Sequence, residues 1–209
     1  GQTLQAQRVL VAIGVQPNLE SLNLEKVGVR LNERGQLVLN EFMQTSVPNI
    51  YAIGDVAGPP YLAHVASEEG ILAVEHLAGR QPHPLRYEDM PRVTFCTPQV
   101  ASLGLTEEQA RAKGYEVKVG NFPFRGIGRA MAVDDTEGFC KVVVEANHGE
   151  ILGVHMIGPE VTELLAEMGL ARTVEATVDE IAATVHPHPT LSEILKEAAL
   201  ATRGEAIHI

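Results

Sequence analysis

The sequence predicts a mixed fold, an α/β part followed by an α+β part with a mainly antiparallel sheet. Three observations carry that expectation. The run "NIYAIGD" is short and apolar, ends in Gly54 and the carboxylate of Asp55, and leads through a loop into a helical pattern. Two β-branched runs, "GFCKVVVEA" and "EILGVHMIG", flank the tight-turn residues Asn147-His148-Gly149. Between these regions Pro82, Pro84 and Pro91 favour extended backbone over helix or sheet, which places a domain boundary near residue 90.

Length and charge narrow the classes of function. A chain of 209 residues with 45% hydrophobic content is long enough to bury one large core or two modest ones. A net charge of -11 opposes phosphate backbones and anionic membranes, which are held by clustered Lys and Arg, so no nucleic acid and no membrane partner is expected. No apolar run approaches the roughly 20 residues of a membrane span, and "GQTLQAQ" has neither a basic n-region nor an apolar h-region. A cytoplasmic protein is the expectation. Cys96 and Cys140 lack the spacing of a metal or redox pair and are read as buried, reduced thiols; no metal is expected.

In chain order, "LQAQRVLVAIG" reads as a β-branched strand that starts without an initiating Met, as if cut from something larger. Gln16-Pro17-Asn18 marks a turn, and Arg34-Gly35 between two alternating segments predicts a hairpin within "GVRLNERGQLVLN". "NIYAIGD" reads as a strand buried on both faces. After the loop "VAGPPY", Ala66, Gly70, Ala73, Val74 and Leu77 recur at helical spacing until Gly79. This loop lies at the carboxyl end of its strand, where α/β folds place ligands.

Beyond the prolines, "RVTFCTPQVASLG" reads as strand and turn, "TEEQARAKG" as a short helix capped by Thr106, and "EVKVGNFPF" as a strand. The Asn147-His148-Gly149 hairpin follows. Val161, Leu164, Leu165, Met168 and Ala171 define a helix that packs on it, and a shorter helix starts near Val178-Asp179.

The chemistry concentrates in "HPHPTLSEILKEAAL". Thr190 and Glu193 have the T-x-x-E spacing of a capping box ahead of the apolar stripe Leu191, Ile194, Leu195 and Ala198. A proline after each of His186 and His188 holds both in extended backbone just outside that helix. A histidine held rigidly near a carboxylate has its tautomer fixed and its imidazolium stabilised, as a general base near neutral pH requires. A capped helix with surface histidines, a catalytic His-Glu pair and a metal site all fit these residues.

Taken together, "VLVAIGVQPN", "TSVPNIYAIGD", "YLAH", "ILGVHMIGP" and "HPHPTLSE" resemble, in order and over essentially the whole chain, the carboxyl-terminal half of the dihydrolipoamide dehydrogenases, which belong to the class I pyridine nucleotide-disulfide oxidoreductases. The resemblance implies that residues 1–16 are the last strands of an NAD-binding domain, 17–89 a central domain that contacts FAD, and 90–209 an interface domain that forms a homodimer. It also implies that His188 is the acid/base residue and that Glu193 orients it, with His186 structural. Asp55 corresponds to the aspartate that accepts a hydrogen bond from the FAD ribitol, although an Asx turn after a strand explains an Asp there equally well. Tyr61, Leu62, Ala63 and His64 correspond to the segment whose backbone approaches the flavin, where a helix N-terminus stabilises developing negative charge. Gly14 corresponds to a glycine at the edge of the nucleotide site, and a tight turn accounts for it almost as well.

The implied activity is oxidation of protein-bound dihydrolipoamide to lipoamide with FAD and NAD as cofactors, and the implied partners are the lipoyl domain and the peripheral subunit-binding domain of an acyltransferase core. The family also needs two G-x-G-x-x-G turns and a C-x4-C redox pair, and the sequence has neither; "GIGRAM" lacks the third glycine and is expected to precede no helix. The chain is therefore expected to hold the proton-handling and dimerising half, and to be inactive alone. A glutathione or mercuric reductase of the same fold is the alternative, although no Cys follows Cys140 where mercuric reductases carry a pair. A further alternative is that the isolated chain serves only as a dimerisation and docking module. Two departures stand out: Val15-Gln16 where many members have two arginines, and Gln99 where a glutamate is common.

Overall fold

The computed structural model describes residues 2–208 and divides between Leu85 and Arg86 into two compact units. In the carboxyl-terminal unit every strand pairing is antiparallel. Strands β1 (Arg92–Thr94), β2 (Gln99–Gly104), β3 (Val117–Pro123), β4 (Phe139–Glu145) and β5 (Ile151–Gly158) form one sheet in the order β1-β2-β5-β4-β3. The expected hairpin is β4-β5, with Phe139 opposite Ile157 and Val142 opposite Val154, and a register shift at Val143/Val144 beside its turn.

Both faces of this sheet are covered, so alternate residues of one strand enter different cores. Val142 and Val144 join the larger cluster with Phe122, Met156, Leu165, Met168, Ile194 and Leu195. Val143 points the other way, to Leu105, Ala110, Val117 and Leu152. The larger core is closed by α4 (Val161–Thr173), α5 (Val178–Ala183) and α6 (Glu193–Ala201); the smaller lies under α2 (Glu107–Ala112). Thr106 caps α2 in a full capping box with Gln109, and Thr177 does the same for α5 with Glu180.

Close backbone approach sets the seat of α6. A Cβ built on Gly120 of β3 would stand 2.0 Å from the carbonyl oxygen of Ala198, so only glycine lets the helix lie this near the strand. A short helix α3 (Gly128–Ala132) forms within "GIGRAM", and the next element after it is a strand. Ala130 is fully buried in the larger core, and that burial outweighs the weak local propensity.

The amino-terminal unit contains one long helix, α1 (Ala63–Leu77). Its buried stripe is Val65, Glu69, Leu72 and Ala73, of which only Ala73 belongs to the expected set; Val74 and Leu77 face solvent. Gly79 follows it in the left-handed region, as expected. No named strand occurs among the described residues of this unit. "VLVAIG" is unpaired and exposed, and "NIYAIGD" makes a single bridge, Tyr51 with Gln44, with Ile53 exposed; both corrections have one cause, since a strand exists only where a partner ladder satisfies its backbone. The Arg34-Gly35 hairpin is present in reduced form, as a Leu31–Leu37 bridge. Among the described residues no helix is long and apolar enough to cross a membrane.

Candidate functional site

The "HPHPTLSE" segment runs from the end of α5 to the start of α6. Its two histidines, two residues apart, receive opposite environments. His186 is nearly buried: its Nε2 lies 3.0 Å from Glu167 Oε1 of α4, and its Nδ1 3.3 Å from the Thr184 carbonyl. Both ring nitrogens face groups of the protein itself, so neither is open to a substrate.

His188 is the reverse. Its side chain is 72% exposed, and its Nδ1 lies 3.0 Å from Glu193 Oε1. Burial works against ionisation of Glu193, yet the Thr190 backbone N–H, the hydrogen bond and charge of His188 and the charge of His208 outweigh it and hold the carboxyl below its ordinary value. An ionised carboxylate only accepts, so Nδ1 carries the proton and the lone pair of the neutral ring sits on Nε2. Nε2 has no hydrogen-bond partner among the described residues. The geometry is that of a general base aimed outward by a carboxylate.

The capping box is only half formed. Glu193 Oε2 accepts from the Thr190 N–H at 2.9 Å, but the Thr190 hydroxyl bonds Pro187 O and Ser192 Oγ instead of the Glu193 amide. Ser192, not Thr190, precedes the first helical residue. This shift gives Glu193 two jobs, with one oxygen tying the loop and the other holding His188.

The amino-terminal candidates belong to the other unit. Asp55 sits exposed in a one-turn helix, Gly54–Val56, and its carboxylate has no hydrogen-bond partner among the described residues. Glu69, buried on α1, accepts from the Gly54 N–H at 2.7 Å and so fixes the turn that presents Asp55. The sequence reading missed Glu69; its one signal was a carboxylate inside the apolar stripe of a helix. Leu62 precedes α1 in extended backbone, gives it no side-chain cap, and no acidic residue occupies its first turn, whose opening residues are Ala63 and His64. Tyr61 is 40% exposed beside it. A helix start without cap or acidic charge suits an anionic edge of a ligand. Gly14 is exposed, with φ +126°, far from the range of L side chains.

The cysteines separate. Cys140 is buried, which pushes its thiol up to about 12, whereas Cys96 is exposed, contrary to the expectation that both are buried. Its place after β1, at the turn before β2, keeps it off both cores. Among the described residues no group of three or more His, Cys, Asp or Glu side chains is placed to hold a metal ion.

Comparison with known proteins agrees with this arrangement. Residues 90–199 match the dimerisation domain of the pyridine nucleotide-disulphide oxidoreductases, and residues 1–70 match a second domain of that family. The chain is 50% identical over 206 residues to a dihydrolipoyl dehydrogenase of Bacillus subtilis, covering 99% of this chain and 43% of the relative. It is also 50% identical over 200 residues to that of Zymomonas mobilis, covering 95% and 43%. It therefore spans less than half the length of these relatives. Among solved structures it is similar to LpdA from Mycobacterium tuberculosis (TM-score 0.82, 30% identity, 88% of this chain and 40% of that one). It is likewise similar to the HOCl-induced flavoprotein disulfide reductase RclA from Escherichia coli (TM-score 0.84, 28% identity, 90% and 43%). With a dimerisation-domain match over more than half its length and a five-stranded antiparallel sheet that carries a His-Glu pair, the chain belongs to the pyridine nucleotide-disulphide oxidoreductases.

Proposed function

We propose that the chain supplies the proton-handling and dimerising part of a dihydrolipoyl dehydrogenase, which oxidises protein-bound dihydrolipoamide to lipoamide with NAD as final acceptor in a 2-oxo acid dehydrogenase complex such as that for pyruvate. The observation that carries this reading is the exposed His188, held on Nδ1 by Glu193 and open on Nε2. A thiol of pKa near 8.5 is mostly protonated at pH 7, and only the thiolate attacks a disulfide. His188 Nε2 takes the proton from a substrate thiol, the thiolate attacks one sulfur of a redox disulfide, and that bond opens as a mixed disulfide forms. Glu193 stabilises the imidazolium meanwhile.

Asp55 and the uncapped start of α1 at Leu62, Ala63 and His64 fit a flavin, by their exposure and the absence of acidic charge in the first turn. Asp55 would accept from its ribitol chain, and the helix start would face its electron-rich edge. Bound FAD supplies a two-electron carrier between the disulfide and NAD. In this reading residues 1–16 end an NAD-binding domain with Gly14 at its edge, residues 17–89 contact FAD and 90–209 form the homodimer interface. The partners are a lipoyl domain and the peripheral subunit-binding domain of an acyltransferase core. A cytoplasmic location goes with the two free thiols.

His188→Gln in the full-length enzyme tests the reading. Turnover of dihydrolipoamide falls by roughly 10² to 10⁴ with the flavin absorbance retained; unchanged turnover, or its loss on His186→Gln instead, overturns it. The chain alone, given dihydrolipoamide and NAD, produces no NADH. A second reading, a dimerisation module in its own right, is favoured by the exposure of Leu170, Val174 and Val185 in the carboxyl-terminal unit. Sedimentation of the chain decides it, since a strict monomer at high concentration rules it out.

A further inference from the structure

A second imidazole-carboxylate pair stands one helical turn beyond the first. Glu197 follows Glu193 by four residues on α6, hence on the same face. It is 2% exposed, and its charge is met by three donors from the end of the chain: Oε2 accepts from the Ile207 N–H at 2.8 Å and the His208 N–H at 3.3 Å, and Oε1 lies 2.8 Å from His208 Nδ1. Glu193, Glu197, His186, Lys196, Ile207 and His208 border one cleft of about 180 Å³.

We infer that Glu197 and His208 are positioning residues for His188: they clamp residues 207–208 onto α6 and set the field in which Glu193 holds the base. This rests on the reading of His188 as the base. Glu197 is a buried carboxylate whose neighbour on the helix face is another carboxylate. Such like charges repel unless one is compensated, and His208 with the two tail amides compensates Glu197. The charge of His208 also favours the ionised form of Glu193.

The other charged groups around the cleft are already engaged. His186 pairs with Glu167 of α4 and Lys196 points its ammonium to the Thr184 carbonyl at 3.1 Å, while His208 is the side chain that meets Glu197 directly.

The expected signature is electrostatic. In His208→Gln, Glu197 keeps two amide donors but loses the imidazole, so its negative charge is less compensated one turn from Glu193. Extra negative potential stabilises protonated His188, and the acidic limb of the kcat/KM profile rises by about half a pH unit. Placing a permanent cation there with His208→Lys returns the limb toward its original position. Full pH profiles of the full-length enzyme with dihydrolipoamide and NAD, for wild type, H188Q, H208Q and H208K, test this.

A raised limb in H208Q that H208K reverses supports the inference. A limb that stays in place in H208Q, with or without a lower kcat, overturns it while H188Q still abolishes turnover and leaves the base assignment intact. If H188Q itself turns over normally, the functional reading falls, and this inference with it. The His208 side chain is half-exposed, so H208Q removes no buried apolar side chain and the profile remains readable.

Discussion

The two units of this chain contain comparable apolar, β-branched sequence and do opposite things with it. In the carboxyl-terminal unit, "GFCKVVVEA" and "EILGVHMIG" find each other across a turn, and Cys140, Val142, Val143 and Val154 are completely buried. In the amino-terminal unit "VLVAIG" is no less strand-like, yet Val9, Leu10, Val11 and Ile13 are each more than 70% exposed. The difference teaches that β propensity states a willingness to pair, and that the partner ladder decides. The candidate site residues follow the same division. His188 is held by Glu193, the first residue of a helix packed onto a complete sheet, whereas Asp55 depends on a turn held by one buried carboxylate, Glu69.

That contrast breaks most readily in the core behind His188. Leu195→Ala removes a fully buried side chain beneath α6 and is expected to cost about 2–5 kcal/mol in urea unfolding followed by circular dichroism. Gly120→Ala forces a methyl against the Ala198 carbonyl and is expected to cost about 1–3 kcal/mol. Because the helix it displaces carries Glu193, its loss of turnover in the full-length enzyme should exceed that expected from stability alone.

Smaller effects sharpen the comparison. Thr106→Ala deletes the cap of α2 and is expected to cost about 1 kcal/mol in the same assay. In the amino-terminal unit Val11→Ala is expected to stay within about 0.5 kcal/mol of wild type, since an exposed, unpaired valine has little to lose. A large effect there would show that this segment is packed after all.

Acid reads out the carboxyl-terminal unit by another route. The backbone N–H groups of His148 and Asn147, at the tip of the β4-β5 hairpin, hold the Glu145 carboxyl at about 2, against 4.5 for an ordinary glutamate. A depressed folded value means that the contribution is complete above about 4.5 and is lost as the pH falls toward 2. Lys113 beside Glu88 and Lys141 beside Glu107 lower those carboxyls in the same direction. Unfolding midpoints measured from pH 6 to 2 should therefore fall, and Glu145→Gln should flatten the curve.

Local pattern alone determined a good part of this protein. The Asn147-His148-Gly149 hairpin, the Thr106 cap, the α4 stripe and the span of α1 all rest on interactions between residues close in sequence, which sequence periodicity registers. The five-residue step from His188 to Glu193 is visible in the sequence, but it was the family resemblance that picked His188 over His186 as the partner of Glu193. Tertiary structure decided what depends on distant partners. It buried His186 against Glu167 and left His188 open, although the two sit in identical His-Pro contexts. It brought the last residues of the described chain back to Glu197, and it left Cys96 exposed. It also left two strand-like segments without ladders. The physical reason is common to all of these: a hydrogen bond or a buried face needs its partner in space, and a linear sequence names the donor without placing the acceptor.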